Sequence, residues 1–326
     1  MKKILIIFIF ITLILPVFPK DVEGYAVSQP AYEFIFEEID QYAINTPDSK
    51  EAMLEILVPY LIATTSNELE KARVIYRWIT DNIAYDADGY FSGNYKSTNA
   101  EDVLLNRSCV CQGYANLFSK MAELAGLEAV IITGFAKGYD YFWTSNFPDD
   151  RHAWNAIKIN GIWHLLDATW GAGYIDGVNG DFVKHYKDFY FLTPPEEFIF
   201  DHLPQDPVWQ LLDETITIEK FKSMVELYPV FFNSGLSHEE AIQRTLYTYD
   251  SKIVLRLRTK YDVIINANLV HVGYRMGLGR EQIIISDLGD GYFEIEINLE
   301  ITGEFLLQVF VSQEYDLAMT YLVVFK

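Results

Sequence analysis

The sequence predicts a two-domain α+β protein: a helix-and-strand domain built around a cysteine at a helix start, followed by a small β-sandwich. Three observations carry this. Cys111 opens a helical stretch over 112–125, where Leu117, Phe118, Met121, Leu124 and Ala125 share one stripe and Gly126 supplies a stop. Strand-like runs follow at 129–135, 153–159 and 162–168, the last two joined by Asn160-Gly161, a type I′ hairpin signal. From residue 253 onward the chain reads as short strands, 253–257, 263–270, 292–299, 305–311 and 321–325, punctuated by Gly289, Gly291 and Gly303. The domains are set at 27–213 and 214–326, behind a separate N-terminal segment, 1–26.

That segment looks like a targeting signal. Lys2 and Lys3 precede a run of twelve almost wholly apolar residues, 4–15, ended by Pro16. Such a run is short for a membrane span and suits a signal-peptide core. Gly24-Tyr25-Ala26 has the small-x-small form of a processing site. The alternative is an uncleaved N-terminal anchor, because Pro19-Lys20-Asp21 suits cleavage poorly. Either way the chain is expected outside the cytoplasm, secreted or anchored to a membrane through this segment.

After it, 32–62 reads as short helices broken near Pro47 and Pro59. A clearer helix follows. Thr65 is its expected cap, with Glu68 completing a capping box, and Leu69, Ala72, Ile75, Tyr76 and Ile79 recur at helical spacing. A second short helix is expected over 100–105.

Length and composition narrow the partners. The chain has 326 residues, half of them hydrophobic, so it can bury sizeable cores without disulfide support. A net charge of −21 argues against nucleic acid and against electrostatic docking on anionic membranes. The two cysteines, Cys109 and Cys111, are too close in sequence for an unstrained bridge and too few for a zinc finger.

The hairpin allows a geometric deduction. With Asn160-Gly161 as the turn, Ile159 faces Ile162, Trp154 faces Asp167 and His152 faces Thr169. Residues two apart share a face, so His152, Trp154 and Asp167 lie together, His152 and Asp167 as diagonal neighbours. A carboxylate there can orient an imidazole and fix its tautomer. Cys111 has its own argument: a thiol at a helix N-terminus is acidified by the helix dipole, and a nearby imidazolium acidifies it further. Nucleophile, base and orienting carboxylate are the parts of acyl-transfer chemistry.

Those residues carry a family resemblance. Cys111-Gln112-Gly113-Tyr114-Ala115, then Arg151-His152-Ala153-Trp154-Asn155, then Leu166-Asp167-Ala168-Thr169-Trp170-Gly171, resemble the three motifs of the transglutaminase-like superfamily, nearest to its kyphoscoliosis-peptidase-like branch. Lys71-Ala72-Arg73 with Tyr76, Trp78 and Tyr85-Asp86 upstream, and His202-Leu203-Pro204 with Trp209-Gln210-Leu211-Leu212 downstream, extend the likeness over 68–212. The resemblance implies a papain-like, transglutaminase-like fold with Cys111, His152 and Asp167 as catalytic residues. It further implies oxyanion or substrate-site roles for Trp78, Tyr85, Gln112 or Trp154. The C-terminal third resembles β-sandwich, Ig-like appendages. One position departs from the pattern: Cys109 stands where relatives carry Gly, a residue suited to positive φ or close approach.

The expected function is thiol-dependent acyl transfer on amide bonds of proteins or peptides, as a peptidase, an amidase or a cross-linking transglutaminase, with no cofactor and no metal. The alternative is a non-catalytic binding or scaffolding module at the cell surface. His164 falls on the opposite hairpin face, and His185, His202, His238 and His271 show no evident partners. Asp86-Ala87-Asp88-Gly89 lacks the full spacing of a calcium loop and is expected as an ordinary loop.

Overall fold

The computed structural model describes residues 29–139, 141, 151–238, 243–273, 276–277, 282–311 and 316–326. The targeting segment, 1–26, lies outside the described residues, as does the side chain of His238. Among the described residues no helix is long and apolar enough to cross a membrane.

The chain begins with helices α1 (Gln29–Ile44), α2 (Leu54–Leu61) and α3 (Glu68–Asn82). Pro59 does not break α2 but lies inside it, two residues before its end. Its missing N–H removes one intrahelical bond, which the burial of Leu54, Leu57, Val58 and Leu61 in the core offsets. The cap of α3 also differs from expectation. Asn67, not Thr65, accepts the Glu70 N–H, and the Glu70 carboxylate takes the Ser66 N–H at 2.7 Å. The cap therefore sits two residues later and differs from a strict capping box, because Glu70 reaches the N–H of the residue before the cap, while the Thr65 hydroxyl donates to the Ile62 carbonyl. The expected loop at Asp86 is instead a cap, its carboxylate accepting the Gly89 N–H at the start of the helix Ala87–Ser92 and the Lys96 N–H beyond its end.

Helix α4 (Cys111–Leu124) packs on an antiparallel five-stranded sheet. Its strands are β1 (Glu128–Ala136), β2 (Arg151–Ile159), β3 (Ile162–Leu166), β4 (Phe191–Thr193) and β5 (His202–Pro204), in the order β4-β3-β2-β1-β5. The β2–β3 hairpin has the deduced register, Ile159 opposite Ile162 through Asn155 opposite Leu166. Asn160 and Gly161 have φ of 52° and 83°, as a type I′ turn requires. The strand stops at Leu166, however, rather than at 168. Asp167 is the N-cap of a short helix, α5 (Ala168–Ala172), so Thr169 is not paired with His152. A carboxylate that accepts two backbone N–H groups ahead of it ends a strand and starts a helix.

The C-terminal region is a β-sandwich. One sheet holds β6 (Lys252–Arg258), β8 (Ile283–Gly289) and β9 (Tyr292–Asn298); the other holds β7 (Ile265–His271), β10 (Gly303–Val311) and β11 (Asp316–Phe325). Alternation builds its core: Leu255 and Leu257, Ile295 and Ile297, and Phe305, Leu307, Val309 and Val311 are buried in one cluster. Sequence patterning missed β8, because Ile284 and Leu288 are exposed on a half-buried strand.

Candidate active site

Three elements converge on one point. Cys111 is the first residue of α4, whose N-cap, Val110, makes no side-chain cap bond. No acidic residue occupies the first turn, so the positive end of the helix acts on the thiol unopposed by its own turn. The helix is pinned to the sheet from below: Asn155 on β2, fully buried, donates to the carbonyls of Ala115 at 3.1 Å and Val130 at 3.2 Å.

Strand β2 brings His152 to Cys111. The imidazole and the thiol line one cavity, and His152 and the Ala153 N–H both act on the sulfur to favour its ionised form. Nε2 of His152 lies 2.7 Å from Oδ2 of Asp167, which leaves Nδ1 for the thiol. Asp167 is aimed by its capping role: Oδ1 takes the N–H of Thr169 at 2.7 Å and of Trp170 at 3.2 Å. Its own N–H donates to the carbonyl of Tyr190. That segment is clamped in turn by Arg73 on α3, buried between Asp188 and Asp40. Stacking on Trp154, at 5.9 Å between ring centroids, and contact with Trp170, at 5.5 Å, hold the His152 ring.

The electrostatics follow from this packing. Burial raises the Cys111 thiol, but the His152 hydrogen bond and charge, with the Ala153 N–H, pull it below its ordinary value. Burial lowers His152, yet the Asp167 charge and hydrogen bond outweigh it and raise the imidazole to about 10. Asp167 is also pushed up by burial, but His152 and then His202 hold it far below the carboxylate range. All three shifts run in the direction that favours a thiolate–imidazolium pair backed by an ionised carboxylate.

His202 had no evident partner in the sequence, yet it completes this network. Fully buried on β5, it places Nε2 3.1 Å from the same Oδ2 of Asp167 and Nδ1 2.6 Å from Oδ1 of Asp201. The only sequence signal was its likeness to a downstream motif; the contact forms because β5 adds to the far edge of β1, where Gly134 leaves room for Leu203 and Pro204. The donor atoms of His152, Asp167 and His202 lie within 4.8 Å of one another, a closeness that these hydrogen bonds explain.

The remaining expectations divide. Tyr85 lines a cavity of about 360 Å³ onto which Cys111 and His152 open, along with Trp170, Tyr174 and Lys187. Trp78 does not reach it: its ring is fully buried and its Nε1 donates to Glu51 at 2.8 Å. Trp154 is also buried and serves as packing beneath His152 rather than as a substrate contact. The Gln112 side chain bonds Asn116 on the next turn, which leaves its backbone as the group near the sulfur. Cys109 is buried and its thiol is raised by burial, then by Cys111 and Asp86. Its side chain fits because Gly113 has none; a Cβ at 113 would come within 2.5 Å of the Cys109 Cβ.

The fold is transglutaminase-like, and within it Cys111 and His152 line one cavity with Asp167 behind the imidazole. Residues 56–168 match the model of the transglutaminase-like superfamily, and the chain carries a domain of that family. It is similar to kyphoscoliosis peptidase from Homo sapiens, 30% identical over 285 residues that cover 86% of this chain and 41% of the relative. It is also similar to hillarin from Drosophila melanogaster, at 27% identity over 86% of this chain and 37% of the relative. The chain thus spans about two fifths of the length of these curated relatives. The solved structure of a TGase is 17% identical and covers 54% of this chain and 40% of its own, with a TM-score of 0.29.

Proposed function

We propose that the chain is a thiol-dependent acyl-transfer enzyme acting on amide groups of proteins or peptides. The observation that carries this is the convergence of Cys111, at the start of α4, and His152 on one cavity, with His152 2.7 Å from a fully buried Asp167 carboxylate. The Cys111 thiolate attacks the amide carbon, and the Cys111 and Gln112 N–H groups, which precede the Gly113 and Tyr114 N–H groups that donate to the Val110 carbonyl, hold the oxyanion. As the C–N bond breaks, His152 gives its proton to the departing amine and a thioester forms on Cys111. A second nucleophile attacks the thioester, His152 takes its proton, and the thiolate returns. Water as that nucleophile gives hydrolysis; a primary amine gives a cross-link.

The test uses casein as amide donor, with and without a biotinylated primary amine, for the parent and for Cys111→Ala. The parent is expected to release ammonia or new amino termini, or to incorporate the amine, and Cys111→Ala to do none of these. Equal behaviour of the two proteins contradicts the proposal. Amine incorporation marks cross-linking and new termini mark proteolysis.

Export is proposed on the sequence alone, from the two lysines and the apolar run behind them. Full-length chain in the cytoplasmic fraction of its host would count against it.

A further inference from the structure

His202 lies outside the segment that matches the superfamily model, residues 56–168, and the three-residue mechanism does not use it. Yet it is fully enclosed beside the site. Its exposure is nil. Phe198 stacks on it at 4.1 Å and Trp170 packs at 4.3 Å, with Trp154 edge-on at 5.0 Å. An imidazole in such a place usually keeps one nitrogen free of a proton and points it at a donor. Here both nitrogens face carboxylate oxygens, Asp167 Oδ2 at 3.1 Å and Asp201 Oδ1 at 2.6 Å. A carboxylate only accepts when ionised, so both nitrogens must donate. The second oxygen of Asp201 is taken by the Tyr190 hydroxyl at 3.1 Å.

We propose that His202 is a positioning residue: a permanent imidazolium, clamped between Asp167 and Asp201, that keeps Asp167 ionised and aimed at His152 and tempers the negative field on the Cys111–His152 pair. This rests on the acyl-transfer reading of the site.

The charge balance makes the role specific. Without His202 the buried centre would hold two carboxylates, Asp167 and Asp201, and a thiolate against one imidazolium. Every proton near it would then be held more tightly. His152 would become a poorer donor to the departing amine, and Cys111 a poorer thiolate. The groups bearing on His202 are few. Asp167 reaches it from the start of α5, Asp201 from its own segment, and His152 from β2, with ring centroids 5.4 Å apart. The Tyr190 ring stands 6.0 Å away. Lys137 and Lys187 bear on Asp201, and Tyr76 and Tyr114 bear on Asp167. Burial lowers His202, but Asp201 first and then Asp167 raise it above its ordinary value.

The experiment has two arms on the full chain. In the first, histidine is labelled with nitrogen-15, and His202 is assigned by the signal lost in His202→Gln. Both of its ring nitrogens are expected to carry protons from about pH 6 to about pH 8, where an ordinary histidine becomes neutral. An unprotonated nitrogen in that range overturns the proposal. Should His202→Gln not fold, Asp201→Asn makes the assignment, because it returns His202 to a neutral tautomer with Nδ1 unprotonated. In the second arm, iodoacetamide alkylation of Cys111 is followed against pH. His202→Gln keeps an N–H donor but not the charge, so both inflections should move up by about one pH unit or more. A uniform loss of rate with unmoved inflections marks a packing role and overturns the proposal. A parent whose Cys111 never alkylates sinks the acyl-transfer reading instead, and the nitrogen signals still decide the state of His202.

Discussion

Nε2 of His152 sits 2.7 Å from Oδ2 of Asp167, and the other oxygen of that carboxylate caps the helix that follows. One side chain thus ends a strand, starts a helix and orients the base. The two duties can be separated. Asparagine keeps an oxygen for the cap but loses the charge. Asp167→Asn should therefore fold, with turnover falling by about two to four orders of magnitude. The His152 inflection should drop below its value of about 10. Steady-state rates and the pH profile of thiol alkylation check this.

The same pair sets a pH window for stability. Asp167 is depressed in the fold, so its contribution is present above the ordinary carboxylate pKa, about 3.9, and is lost as pH falls through its lower folded value. His152 is raised, so its contribution is complete below about 6.5 and is lost as pH climbs through about 10. Urea midpoints measured against pH should fall on both sides of that plateau. Asp167→Asn should flatten the acid side.

Cys109 should be silent where Cys111 is reactive. It is fully buried with its thiol raised, and it packs into the space left by Gly113. Cys109→Ala should cost about 1–2 kcal/mol and leave alkylation intact, whereas Gly113→Ala should cost about 1–3 kcal/mol from overpacking. Denaturation curves and peptide mapping of the labelled site test both.

Trp78 is a structural donor. Its Nε1 bonds Glu51, which also pairs with Arg107 at 2.9 Å. Trp78→Phe should lose about 1–2 kcal/mol of stability while the alkylation rate of Cys111 holds. A selective loss of turnover in a stable variant would restore the oxyanion role.

Arg73 fixes the site from a distance. Its buried guanidinium joins Asp40 to Asp188, two residues before the Tyr190 whose carbonyl holds the Asp167 N–H. Arg73→Met leaves Asp40 with only the longer Arg77 contact at 3.9 Å and Asp188 with the Tyr186 hydroxyl, and should cost about 3 kcal/mol. Thermal unfolding checks it.

What the sequence revealed, and what it hid, divides along a physical line. The hairpin was legible because two residues with φ above zero fix a turn, and the turn fixes parity back to His152. Helix α4 was legible from its apolar stripe. The end of β3 at Leu166 was not, since stopping there depends on Asp167 capping ahead rather than continuing the ladder. His202 was hidden for a different reason. Its partners are 1 and 35 residues away, and the distant one meets it only after β5 crosses to the edge of β1. Trp78 illustrates the converse: a motif position marks a residue without saying whether its N–H faces a substrate or a glutamate.

The most direct measurement is the alkylation rate of Cys111 against pH in a Cys109→Ala background, with and without His152→Ala. An imidazolium that stabilises the thiolate predicts rapid alkylation in the parent well below about pH 8.5, the ordinary thiol pKa. In the His152→Ala protein, burial and the Asp167 charge oppose the thiolate with only the Ala153 N–H and the helix end to favour it, and the midpoint should rise to that value or above it. Coincident midpoints in the two proteins would contradict the thiolate–imidazolium pair, and with it the account of the site.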